Sequence, residues 1–223
     1  KYDGDTAGDD IVERSFNLYS HAPANESIFF TVSHTGGDVE EFNTIQQIND
    51  NQYYNITAVF DNGNSKIYID GNLDMDYDFG NSNIHLTESN IPVIIGATFE
   101  PFSLLGFESH LSGEIMSASI WNRSLNDIEI QSIFHNNNVD DYEDNLIANY
   151  KFNAGSGDIL FDHSGNGNHG IINGATWVGN VYGCTDELAT NYNPDANLND
   201  GSCTYPDNDD YSLSFDGVDN YIQ

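Results

Sequence analysis

Tyr53-Tyr54-Asn55-Ile56-Thr57-Ala58-Val59-Phe60, the turn Asp61-Asn62-Gly63-Asn64, and then Lys66-Ile67-Tyr68-Ile69-Asp70-Gly71 form the most informative stretch of this chain. Two runs rich in β-branched and aromatic residues flank a turn that carries Asn-Gly. That combination predicts a β-hairpin, because Asn and Gly tolerate the positive φ that tight hairpin turns require. Similar short runs lie on either side. Ser15-Phe16-Asn17-Leu18-Tyr19 alternates with period two, and Ser27 to Ser33 is β-rich. Ile91 to Gly96, Gly113 to Trp121 and Leu146 to Phe152 extend the series. Short strands at regular spacing between polar turns predict an all-β sandwich or barrel.

One segment departs from this pattern. Leu125 to Phe134 has apolar residues at helical spacing, with Asn126 placed to cap it and Glu129 three residues on, as in a capping box. One short helix is predicted there. Residues 136–145 are polar and acidic and read as a loop. Asp70, Asp74, Asp76 and Asp78 follow the hairpin and read as a solvated turn.

The charge is extreme: 5 Lys plus Arg against 36 Asp plus Glu, a net of -31. Such a surface repels phosphate backbones and anionic lipid, so nucleic acid and membrane surfaces are excluded as partners. No apolar run approaches the ~18 residues needed to span a bilayer. The acidic excess serves solubility, and it also suits divalent cations, which take oxygen ligands. The chain opens at Lys1 without a Met and reads as a piece of a longer protein. Cys184 and Cys203 lie in a Gly/Asn/Asp-rich stretch. They are either free thiols or one disulfide. The scarcity of apolar residues between them favours a disulfide and an oxidising, extracellular setting.

Several of these segments together resemble the laminin G-like, or concanavalin A-like, jelly-roll family. Tyr54 to Gly71 is similar to its central hairpin. Ile94-Ile95-Gly96-Ala97 is similar to the strand that follows, and Leu111 to Leu125 to the strand leading into a short helix. Asp162-His163-Ser164-Gly165-Asn166-Gly167-Asn168-His169-Gly170 resembles the family's Asp-x-Ser-Gly-Asn-Gly loop. Phe215-Asp216-Gly217-Val218-Asp219 resembles its first strand, although here it closes the chain. The resemblance implies an antiparallel jelly-roll β-sandwich with one short helix over residues 1–178, its N-terminal strands missing. A disulfide-closed insert or linker then occupies 179–210. Residues 211–223 form a strand that begins another repeat, or completes this sandwich by folding back or by exchange between chains. Gly183 to Cys203 is similar to short cysteine-paired repeats found between modules of bacterial surface proteins.

The resemblance also implies a structural Ca2+ near the Gly-rich loop. Asp162, Asn166 and Asn168 are the candidate ligands, joined by Asp216 and Asp219 if that strand lies alongside. The alternative is a plain turn in which Asn, Asp and Gly serve geometry alone. Asp195, Asn197, Asn199 and Asp200 form a second candidate that is similar to an EF-hand opening. Its Gly comes one place late and no Glu closes it, so Asx turns are the competing reading. Trp121 and Trp177 lie in strand-like runs and are expected in the core rather than on a sugar. A glycoside hydrolase of this fold needs paired carboxylates. Gly113-Glu114-Ile115 continues into Met116-Ser117-Ala118-Ser119 without a second acid. The functional expectation is a non-catalytic binding or adhesion module of a secreted or surface protein, with carbohydrate or a surface glycoconjugate as ligand and neighbouring modules as partners. A spacer without ligand is the alternative, and a glycosidase a remote one.

Overall fold

The computed structural model describes residues 16–21, 25–33, 39–49, 52–61, 63–78, 93–99, 107–108, 110–136 and 139–206. The chain divides into two compact units, Lys1–Phe152 with Ile159–Gly170, and Asn153–Asp158 with Ile171–Gln223.

In the first unit, β1 (Phe16–His21), β2 (Asn25–Ser33) and β3 (Val39–Asn43) form one antiparallel sheet in that order. A second antiparallel sheet contains β4 (Ile56–Asp61), β5 (Asn64–Ile69) and β6 (Asn72–Asp78). β7 (Thr98–Phe99) pairs with β8 (Phe107–Glu108), and β9 (Ala118–Trp121) with β10 (Leu146–Tyr150). Between β9 and β10 lie the helix α1 (Asp127–Asn136) and a 3-10 turn at Asp140–Tyr142. Short strands β11 (Ile159–Leu160) and β12 (Gly170–Ile171) bracket the Gly-rich loop. The described chain is thus mostly strand with one α-helix, as an all-β jelly-roll sandwich requires.

Strand alternation explains how the layers pack. Ile56, Ala58 and Phe60 of β4, Ile67 of β5 and Met75 of β6 face the same side and meet Phe30, Val32 and Phe42 of the first sheet. Val59 and Tyr68 point the other way and meet Leu125 and Ile130, with Trp121 and Ile133 beside them. β5 is therefore buried on both faces: Ile67 is 0 % exposed and its neighbour Tyr68 2 %. A strand sealed on both sides cannot slip by one residue without burying its Lys66.

The predicted hairpin is β4–β5, with Asp61 opposite Asn64. The acidic run beyond it is a strand and not the solvated turn expected from sequence. Asp70 and Gly71 both have positive φ, 50° and 74°, which makes a two-residue reverse turn into β6. On β6, Met75 and Tyr77 pair with Ile67 and Ser65 on the core side, whereas Asp76 pairs with Lys66 on the outer side. The alternating acids mark the outer face of a half-buried strand. A register shift at Ile67/Tyr68 leaves Asp74 out of the ladder. Its carboxylate accepts the backbone N–H groups of Ile45 (2.6 Å) and Gln46 (2.9 Å), tying the segment after β3 to β6.

Two further expectations change. The described part of the Ile91–Gly96 run, from Val93, forms bends with Gly96 at φ 88°, not a strand. The Gly113–Trp121 strand is confined to Ala118–Trp121. The helix forms as predicted. Asn126 Oδ1 accepts the N–H groups of Ile128 (3.0 Å) and Glu129 (3.1 Å), and Glu129 accepts that of Asn126 (2.8 Å). This is the reciprocal capping box.

The second unit carries the disulfide. Cys184 and Cys203 are joined across 19 residues. β13 (Tyr182–Gly183) runs parallel to β14 (Leu198–Asn199), and buried Cys184, Ala189 and Leu198 give the unit its apolar interior. A Cβ at Gly183 would sit 2.9 Å from the Asn193 amide and 3.2 Å from the Ala196 Cβ, so glycine lets these segments approach closely.

Two outcomes are expected. Gly71→Ala forces a left-handed conformation on a residue with a Cβ, and that Cβ would meet Phe134 at 3.1 Å. Denaturant unfolding should show a loss of about 1–3 kcal/mol. Cys203→Ser should cost the second unit roughly 3 kcal/mol in the chain-entropy account of loop closure. Limited proteolysis should then cut between 184 and 203 in the variant and not in the disulfide-bonded chain.

Candidate functional site

The Gly-rich loop is the most tightly organised polar site among the described residues. Asp162 sits at its entrance, 8 % exposed. Its Oδ1 accepts the backbone N–H groups of Asn149 and Ser164, each at 2.9 Å. Its Oδ2 accepts the Ser164 hydroxyl and the Asn168 N–H, again each at 2.9 Å. Burial pushes the carboxyl pKa up, but the bonds from Asn149, Ser164 and Asn168 outweigh it and hold the group at about 2. The Asp162 N–H is received by His169 Nδ1 at 3.0 Å, and the Tyr150 hydroxyl donates to the Asn168 carbonyl at 2.6 Å.

The structure therefore brings Asp162, Asn166 and Asn168 together, as the sequence suggested. It places Asn166 and Asn168 as donors, however. Asn166 Nδ2 reaches the Leu146 carbonyl at 2.7 Å, and Asn168 Nδ2 reaches that of Ile147 at 2.8 Å. Ca2+ takes six to eight oxygen ligands. Here both Asp162 oxygens and the Leu146, Ile147 and Asn168 carbonyls already receive N–H or O–H hydrogens, an arrangement that does not fit the ion that the resemblance implied. Asp216 and Asp219 lie outside the described residues.

The second candidate set is dispersed over separate turns. Asn199 Oδ1 accepts the Gly201 N–H at 3.0 Å, and Asp200 Oδ1 accepts that of Ser202 at 2.9 Å. Asn197 Oδ1 accepts the Val181 N–H at 2.7 Å. Asp195 donates its N–H to Asn193 Oδ1 at 3.1 Å. Each bond closes a local turn or joins two segments. Among the described residues, no three His, Cys, Asp or Glu side chains converge to hold an ion.

A groove of about 340 Å³ opens between the β4–β5 hairpin and the start of α1. Asp61, Asn64, Lys66, Ser124, Asn126 and Asp127 line it over an apolar floor that includes Val59 and Leu125. Lys66 lies 3.8 Å from Asp76. Asp127 receives the Tyr68 hydroxyl at 2.6 Å, and burial together with this bond raises the phenol pKa well above its ordinary value. Sequence reading missed this groove because its residues come from segments some 60 positions apart, as the Tyr68–Asp127 bond shows. A second depression is rimmed by Asp140, Asp141, Glu143 and Asp144. There Arg123 pairs with Glu129 at 2.9 Å and holds its carboxyl below the usual range against the opposing effect of burial. Glu114 accepts a hydrogen bond from Tyr53. Trp121 packs in the core beside Leu125 and Ile130 and donates to the Tyr142 carbonyl at 2.9 Å. Half-buried Trp177 donates to that of Gly157 at 2.9 Å.

Replacing Asp162 by Asn sets an amide N–H against hydrogens that now meet a carboxylate. Chemical denaturation should show a loss of about 2–3 kcal/mol, the range for stranding buried donors of charged hydrogen bonds.

The sequence model of the Laminin_G_3 family, described as the concanavalin A-like lectin/glucanases superfamily, matches residues 2–131. No curated protein matches significantly. Among solved structures, a candidate carbohydrate-binding protein from Bacteroides ovatus ATCC 8483 aligns with a TM-score of 0.44 at 16 % identity. That alignment covers 65 % of this chain but only 39 % of the other. An S-layer domain-containing protein from Clostridium thermocellum ATCC 27405 aligns with a TM-score of 0.35, also at 16 % identity, over 60 % of this chain and 70 % of that one. The family match spans more than half of the 223 residues, and the chain belongs to the concanavalin A-like lectin/glucanase superfamily.

Proposed function

We propose that this chain is a non-catalytic binding module of a secreted or cell-surface protein, and that it takes a carbohydrate in the groove between the β4–β5 hairpin and α1. The observation that carries the reading is the groove's lining, which sets Asn64, Lys66 and Ser124 above Val59 and Leu125. Glu114 lies outside β9, is hydrogen-bonded to Tyr53, and is followed by Ile115, Met116 and Ser117 without a second acid. Hydrolysis needs two carboxylates facing one bond, one of them free to give up a proton. The groove's two carboxylates, Asp61 and Asp127, each accept a hydrogen bond, from Ser124 and Tyr68 respectively, and stand with amide, ammonium and hydroxyl groups above apolar contacts, the mixture that holds a polyol.

The disulfide supports an oxidising compartment. Among the described residues, no helix is long and apolar enough to cross a membrane. Calcium forms no part of this reading, because both oxygens of Asp162 already accept hydrogen bonds.

A glycan array tests the proposal. Binding to a defined glycan class is expected, without release of shorter sugars on prolonged incubation. Asn64→Ala and Lys66→Ala should each weaken it about tenfold, equivalent to ~1.4 kcal/mol. Uniform silence on the array would leave the module as a ligand-free spacer. Binding indifferent to both substitutions would move the site elsewhere, and cleavage of an oligosaccharide would end the non-catalytic reading.

A further inference from the structure

We propose that the Asp162–Gly170 loop is an anion receptor already filled by the chain's own Asp162 carboxylate, and that it folds and holds without any divalent cation. Three backbone N–H groups, from Asn149, Ser164 and Asn168, and the Ser164 hydroxyl converge on the two carboxylate oxygens at 2.9 Å. Four hydrogens aimed at one point make a positive field there. Backbone N–H groups arranged this way bind anions, and a cation would meet the wrong end of every dipole.

Three nearby carbonyls accept hydrogen bonds as well. The Ile147 carbonyl receives Ser164 Oγ at 3.1 Å and Asn168 Nδ2 at 2.8 Å. The Leu146 carbonyl receives Asn166 Nδ2 at 2.7 Å, and the Asn168 carbonyl the Tyr150 hydroxyl at 2.6 Å. The loop thus joins β10 to the segment leading into β12 through a set of hydrogen bonds. An ion bound through these oxygens would compete with those hydrogen bonds. The acidic composition invites a cation, yet at this loop the carboxylate does the ordering itself.

Two experiments test this. Amide hydrogen exchange at Asn149, Ser164 and Asn168 is measured on the unaltered chain in EDTA and in excess calcium chloride. Protection equal within about twofold is expected in both buffers, since the amides report local opening of this loop. A loss of tenfold or more in EDTA, restored by calcium, overturns the proposal. Asp162→Ala then empties the receptor and should lower Tm by about 5 °C, the shift that ~2 kcal/mol produces in a chain of this size. Sodium formate should restore part of that loss relative to sodium chloride at equal ionic strength, and calcium chloride should restore none. A folded variant deaf to formate, or one rescued by calcium, also overturns it. If the variant does not fold, the exchange measurement decides.

Discussion

The first unit depends on β5 being buried on both faces at Ile67 and Tyr68. Ile67 reaches into the core shared with β2 and β3, while Tyr68, the next residue, reaches under α1. Fully burying each side chain contributes on the order of 2 kcal/mol, but the geometric effect matters more. One strand ties together the facing sheet, its own sheet and the helix. Tyr68 adds a directional restraint, because its hydroxyl must meet Asp127 in the first turn of α1. The helix is thereby fixed against the sheet at one point by a hydrogen bond and elsewhere by packing. The groove beside that bond is a consequence of the same arrangement.

A chain with 36 acids and 5 Lys plus Arg cannot neutralise its carboxylates by ion pairing. The structure pairs many of them with backbone N–H groups instead. Asp70 holds the Asn55 N–H at 2.8 Å, Asp74 holds those of Ile45 and Gln46, and Asp162 holds three. Asp186 and Asp200 each close a turn two residues on. A carboxylate used this way satisfies donors that a loop would otherwise leave open. Its stabilising effect needs neither a basic partner nor a metal. Loops rich in Asp and Asn can thus be ordered in a strongly anionic protein.

Much of this was legible in sequence wherever the signal was local. The β4–β5 hairpin followed from two β-rich runs around Asn-Gly, and α1 from Asn126 and Glu129 at capping-box spacing. β6 was misread because Asp70, Asp74, Asp76 and Asp78 looked like a solvated turn. Asp-Gly at 70–71 was the signal that should have identified a second hairpin, and Met75 and Tyr77 between the acids completed the alternation. β3 was unread, since Val39-Glu40-Glu41-Phe42-Asn43 carries little apolar residue for a strand. Its place depends on pairing with β2, where Phe42 sits opposite Phe30. The Asp162 loop was found from its motif, but the motif could not tell a cation's ligands from an anion's receptor. That distinction rests on which hydrogens point at the carboxylate.

By itself, the amino-acid order determined what short-range chemistry can determine. It set which stretches alternate, where Gly and Asn permit reversals, where a helix begins, and that one cysteine pair could close a polar unit. Tertiary structure alone decided which faces meet, that Asp127 lies under Tyr68, and that Asn149 and Asn168 deliver their N–H groups to Asp162. The physical reason is distance along the chain. Turns and caps are formed by residues within a few positions of each other. The groove and the receptor are assembled from strands whose approach is fixed only when both faces of β5 are buried and the β9–β10 ladder is in register.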